Sequence, residues 1–153
     1  MQFYSSTPIS ELNKQATQLN NAGDLAQALV VLEQVSQIML SNASGFAHTV
    51  LDFERHALWL QKAGRLADAL ALLDRFEKAW PSMVAHTYQV DNDTVSFGGV
   101  GVEAVRKTKA LKIKQSTKAN QEQLLRIKKT LHTREKHDLQ NRRFKPPPPA
   151  THP

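Results

Sequence analysis

Apolar residues recur along the first half of the chain at the alternating three-and-four spacing of a single helix face. Ile9, Leu12, Ala16 and Leu19 make one stripe, and Leu25, Ala28, Leu29, Leu32, Val35 and Met39 a second. Phe46, Val50, Phe53, Ala57 and Leu60 make a third, and Leu66, Ala69, Leu70, Leu73 and Phe76 a fourth. Each stripe ends at residues that stop helices: Asn20-Asn21-Ala22-Gly23, Ser41 to Gly45, Gly64, and Trp80-Pro81. Thr7-Pro8 supplies a cap and a preset first turn, and Asp24 caps the second helix. The pattern predicts an all-α body of two antiparallel helix hairpins over residues 8–81. Gly23 and Gly64 take equivalent turns in it, and Leu29, Leu32, Phe53, Leu60, Leu70 and Leu73 are buried.

The second hairpin repeats the first. Shifting the chain by 41 residues superimposes Ala16, Leu19, Gly23, Leu25, Ala28 and Leu32 on Ala57, Leu60, Gly64, Leu66, Ala69 and Leu73. These residues resemble the tetratricopeptide repeat, whose helix pair carries a small residue, a Leu or Tyr, a turn glycine, an alanine, a large apolar residue and a closing proline. Phe53, Ala57, Leu60, Gly64, Ala69, Leu73 and Pro81 follow that order closely, whereas Leu40 stands where the first unit would carry its proline. The family repeats about every 34 residues, and the surplus here amounts to about two helical turns, which keeps the apolar faces in phase. The resemblance implies a tetratricopeptide-like domain over residues 1–81 that binds peptides or protein surfaces on a concave face. A plain four-helix bundle shows similar stripes and stays open as a reading. Stacked repeats usually need about three units, so a third hairpin, a second copy or a partner is expected to cover an exposed face.

Beyond Pro81 the pattern changes. Thr87 to Val90 and Thr94 to Phe97 alternate across a turn at Asp91-Asn92-Asp93 and predict a small β-hairpin in a linker over residues 82–102. From Glu103 the residues are helix formers without glycine or proline, giving a helical or disordered arm over residues 103–145 with a break at Ser116-Thr117. Its apolar content is thin: Val102 and Val105 open it, Leu111 and Ile113 sit two apart, and only Leu124, Ile127 and Leu131 make a short stripe. Residues 146–153 form a Pro-rich disordered tail, in which Arg143, Pro146 and Pro149 fit the spacing of a Pro-rich ligand.

Charge divides the chain at the same place. Residues 1–102 hold six Lys/Arg against ten Asp/Glu, a net of −4, and residues 103–153 hold fourteen against four, a net of +10. An acidic body joined to a basic arm points to nucleic acid, an acidic protein surface or anionic lipid as a second partner. The candidate phosphate-contacting residues are Arg106, Lys107, Lys109, Lys112, Lys114, Lys118, Arg126, Lys128, Lys129, Arg134, Lys136, Arg142 and Arg143. No aromatic residue lies between Phe97 and Phe144, so the arm has no platform for stacking single-stranded bases, and binding should be electrostatic and tolerant of sequence.

Catalytic chemistry finds little support. The chain has no cysteine, hence no disulfide, thiolate metal site or cysteine nucleophile. Gly98 to Gly101 precede Arg106-Lys107-Thr108, but a phosphate loop requires glycine where Arg106 stands. His132 and His137 are five apart and do not share a helix face, and Asp91 and Asp93 lack the later ligands of a calcium loop. No signal peptide or membrane span is apparent, which places the protein in the cytoplasm, or in the nucleus of a nucleated host. The expectation is a non-enzymatic protein-binding adaptor or assembly factor without cofactor or metal, self-association being one mode of docking. The alternative is a nucleic-acid-binding protein that uses the basic arm.

Overall fold

The structure, a computed structural model, describes residues 8–41, 48–94 and 102–144. All five long elements among them are α-helices: α1 (Pro8–Asn21), α2 (Leu25–Leu40), α3 (Glu54–Lys62), α4 (Leu66–Thr94) and α5 (Val102–Phe144), with a 3-10 turn at Val50–Phe53 leading into α3. α1 packs on α2 and α3 on α4, each pair joined by a three-residue turn. Both turns close alike. Gly23 and Gly64 take φ of 85° and 81°, a region open to glycine, and the next amide reaches back to the carbonyl five residues earlier. These bonds run from Asp24 to Leu19 at 2.9 Å and from Arg65 to Leu60 at 2.8 Å. Asp24 also accepts the Gln27 amide at 3.1 Å, which caps α2.

The repeated alanines explain how the hairpins fit. Ala16, Ala28, Ala57 and Ala69 are all fully buried, small where paired helices approach most closely. Of the six residues expected in the core, Leu29, Leu32, Phe53, Leu60 and Leu73 are buried, while Leu70 is only partly covered. Phe53, Phe76 and Trp80 form a tilted aromatic series, with ring centroids 5.2 Å and 5.8 Å apart. Neighbouring hairpins are also tied laterally at close to the repeat distance: Arg55 bonds Asn13 and Arg75 bonds Glu33, both pairs 42 residues apart.

Three expectations need correction. The helix does not stop at Trp80-Pro81: Trp80, Met83 and Val84 are all buried on one side of α4, and this packing outweighs the amide bond that Pro81 removes. The β-hairpin does not form over residues 87–94, which are helical, while Val95 to Phe97 lie outside the described residues. A four-residue alternation competes poorly with a nucleated helix, which gains one hydrogen bond per added residue. Ser116-Thr117 does not break α5 either. Thr117 bonds back to the Ile113 carbonyl at 2.8 Å and accepts the Trp80 indole N–H at 2.9 Å, so its hydroxyl is satisfied within the helix.

The largest difference concerns the basic segment. Leu124, Ile127 and Leu131 are buried in the same cluster as Phe53, Leu60 and Phe76, and α5 packs on the 3-10 turn, α3 and α4. The buried Val50 amide donates to Asn120 Oδ1 at 3.0 Å, and buried Gln61 donates to Glu135 and Asp138 at 3.1 and 2.8 Å. Removing the chain after Gly101 would therefore uncover the core. A single helix, α5, covers the flank of the second hairpin, where the sequence suggested a third hairpin, a second copy or a partner.

Candidate binding surfaces

α2 and α4 lie side by side over α3 and leave a groove between them of about 420 Å³. Leu29, Leu60 and Leu72 form its apolar floor, and Val30, half-exposed at 52%, stands at its edge. Glu33 and Arg75 cross one end through two parallel bonds, Nη1 to Oε1 at 3.0 Å and Nη2 to Oε2 at 2.9 Å. Partial burial acts to raise the Glu33 carboxyl, but the Arg75 hydrogen bond and charge, with the Gln37 amide, bring it below its ordinary value. The same bond raises Arg75. At the other end Arg65 holds Asp68 at 2.7 Å.

His56 lies beneath this rim, 4% exposed, and shares a 2.8 Å hydrogen bond with Ser36 through Nδ1. Burial pushes its pKa down to about 4, opposed by the Glu33 charge and aided by those of Arg75 and Arg65, so the ring is neutral near pH 7. A buried neutral imidazole with a hydroxyl partner belongs to the packing between α2 and α3.

α5 presents the second surface. It runs for 43 residues, about 65 Å, and its cations differ from those of the body. In the body Lys14, Arg65, Arg75 and Lys78 are ion-paired, Arg55 bonds Thr17 and Asn13 while lying 4.8 Å over the Trp59 ring, and Lys62 alone is exposed with no ion pair among the described residues. In α5, Lys128 pairs with Glu77 at 3.7 Å and Lys109 is half-buried. Arg106, Lys107, Lys112, Lys114, Lys118, Arg126, Lys129, Arg134, Lys136 and Arg142 are exposed, and no ion pair holds any of them among the described residues. The Arg143 side chain lies outside the described residues. Of the thirteen candidate cations, the structure thus gathers ten on the open sides of one helix.

Comparison with protein-family models, curated proteins and solved structures finds no match. Function must be read from these surfaces alone. Among the described residues no group of three His, Asp or Glu is placed to hold a metal ion, and no helix is long and apolar enough to cross a membrane.

The sequence singled out the α5 cations but not the groove. Glu33, His56, Val30 and Arg75 come from three helices and share no local motif. The one signal that could have joined them is the repeat offset, since residues about 41 apart become neighbours across adjacent hairpins.

Proposed function

We propose that the chain is a non-enzymatic protein-binding adaptor, a tetratricopeptide-like pair of helix hairpins that takes a segment of a protein partner into the α2–α4 groove. The observation that carries this is the groove itself: exposed Val30 and Ala71 line it above the nearly buried Leu29, Leu60 and Leu72, among polar and charged side chains. Apolar concavities edged by polar groups suit a side chain or short helix supplied by another chain. The rim charges are already paired with one another, Glu33 with Arg75 and Asp68 with Arg65, so they set the shape of the mouth and leave Val30, Ala71 and the polar side chains of Gln34 and Gln37 to meet a partner. Exposed Ala71 on the opposite wall lets a partner approach the α4 backbone closely.

The test is crosslinking in the native host. A photoreactive phenylalanine analogue placed at Val30 should give one discrete protein adduct, and the same group at exposed Lys78, outside the groove, should not. Adding Ala71→Trp, which fills the groove, should abolish the Val30 adduct. If Val30 yields no adduct, or yields the same adducts as Lys78, the groove is not a docking site and the adaptor reading fails.

A further inference from the structure

We infer that the outer face of α5 is a binding track for the phosphodiester backbone of a nucleic-acid duplex, carried by Lys107, Lys114, Lys118, Lys129 and Lys136. These five are exposed and unpaired among the described residues. At about 100° per residue they fall within roughly 60° of arc, on the side of the helix turned away from Leu124, Ile127 and Leu131. They thus form one line about 44 Å long. The core contacts fix this helix against α3 and α4, so the line is part of a folded surface.

Three features of the track select the ligand. First, the acids of α5 are mostly turned from it: Glu135 and Asp138 hold the buried Gln61 amide, leaving Glu122 as the acid on the outer side among the described side chains. Second, a line of about 44 Å exceeds the roughly 34 Å turn of a B-form duplex, so a stiff duplex lying along it presents phosphates of both strands to successive lysines. A single strand would need aromatic platforms, and no aromatic residue occurs from Val102 to Arg143. Third, the exposed leucines on this side, Leu111, Leu125 and Leu139, follow one another at 14 residues, about 21 Å. A helix that lies on an anionic membrane needs a continuous apolar face, which three leucines so far apart do not make. The positive line also disfavours pairing with the same face of a second copy.

Every contact is to backbone phosphate, so binding is predicted to be independent of base sequence and steep in salt. With all five lysines engaged, log affinity should fall against log salt with a slope of about −4 to −5. This surface is separate from the α2–α4 groove and does not rest on the adaptor reading, so Ala71→Trp should leave duplex binding unchanged.

The experiment uses the full chain, fluorescence anisotropy, and duplexes of about two helical turns, one of DNA and one of RNA, each in two unrelated sequences. The triple variant Lys114→Gln, Lys118→Gln, Lys129→Gln is compared with the control triple Lys14→Gln, Lys62→Gln, Lys78→Gln, which removes the same charge from the body. Helical circular dichroism confirms that both fold. The expected result is binding of the unmodified chain at low salt, at least a tenfold loss in the α5 triple with its slope reduced by about three, and less than a twofold change in the control. The more tightly held duplex then identifies the natural form. Equal weakening by the two triples would reduce the effect to net charge and overturn the track. Absence of duplex binding at low salt would overturn it too.

Discussion

Single residues carry both the packing and the pH response of this fold. His56 is 4% exposed, bonded to Ser36, and held neutral by burial, with its pKa at about 4 against 6.5 for a free histidine. The unfolded chain takes up this proton first, so acid favours unfolding. The contribution is complete above pH 6.5 and is lost as pH falls from 6.5 through about 4; 2.5 units correspond to about 3 kcal/mol. The carboxyls of Asp52, hydrogen-bonded by His48, and of Glu33 are also held low, but their loss begins only below their free values of 3.8 and 4.5. Between pH 6.5 and 4.5 the histidine therefore dominates. Urea unfolding in that window should show stability falling in the natural chain and nearly flat in His56→Gln. Equal slopes in both would mean that His56 is protonated in the folded state.

Helix by helix, the sequence was most legible where two independent signals coincided. Gly23 and Gly64 end helices because positive φ suits glycine and because each follows an apolar stripe, and both turns form as expected. The fourth helix was misjudged because Pro81 is a local signal and Trp80, Met83 and Val84 are a tertiary one. Their burial against α5 and the 3-10 turn is invisible until the helices are assembled. Pro81 is exposed and removes one amide from the middle of α4, so the helix continues at a cost. Pro81→Ala should restore that bond and stabilise the chain by roughly 1–2 kcal/mol, the gain being reduced because the unfolded chain becomes freer. Chemical denaturation measures it. A destabilised Pro81→Ala would show that the ring makes packing of its own.

At the scale of the whole molecule, charge separates two halves that packing joins. Net charge changes sign near Gly98 to Gly101, but the core does not end there, because Leu124, Ile127 and Leu131 recur at helical spacing within an otherwise cationic sequence and insert beside Phe53 and Leu60. That stripe was visible in the sequence. What it packs against was not, since its partners lie about 70 residues away, as the Val50–Asn120 bond illustrates. The groove was hidden for the same reason, being assembled from three helices. Leu131→Ala, at a fully buried site, should cost about 2–5 kcal/mol and lower the single unfolding transition of the whole chain. Leu125→Ala, at a site 68% exposed, should change it by less than about 0.5 kcal/mol. Matching effects at the two positions would mean that α5 is not part of the cooperative core.

The closure of the core by its last helix also sets the order of events during synthesis. A chain made from its N-terminus delivers both hairpins first, with Val50, Phe53, Phe76 and Met83 uncovered on the flank that α5 later occupies. Until Leu131 leaves the ribosome this flank stays open to water, and to any chaperone or neighbouring nascent chain that recognises apolar surface. Codon changes that slow translation between residues 95 and 131 would lengthen that interval without altering a single amino acid.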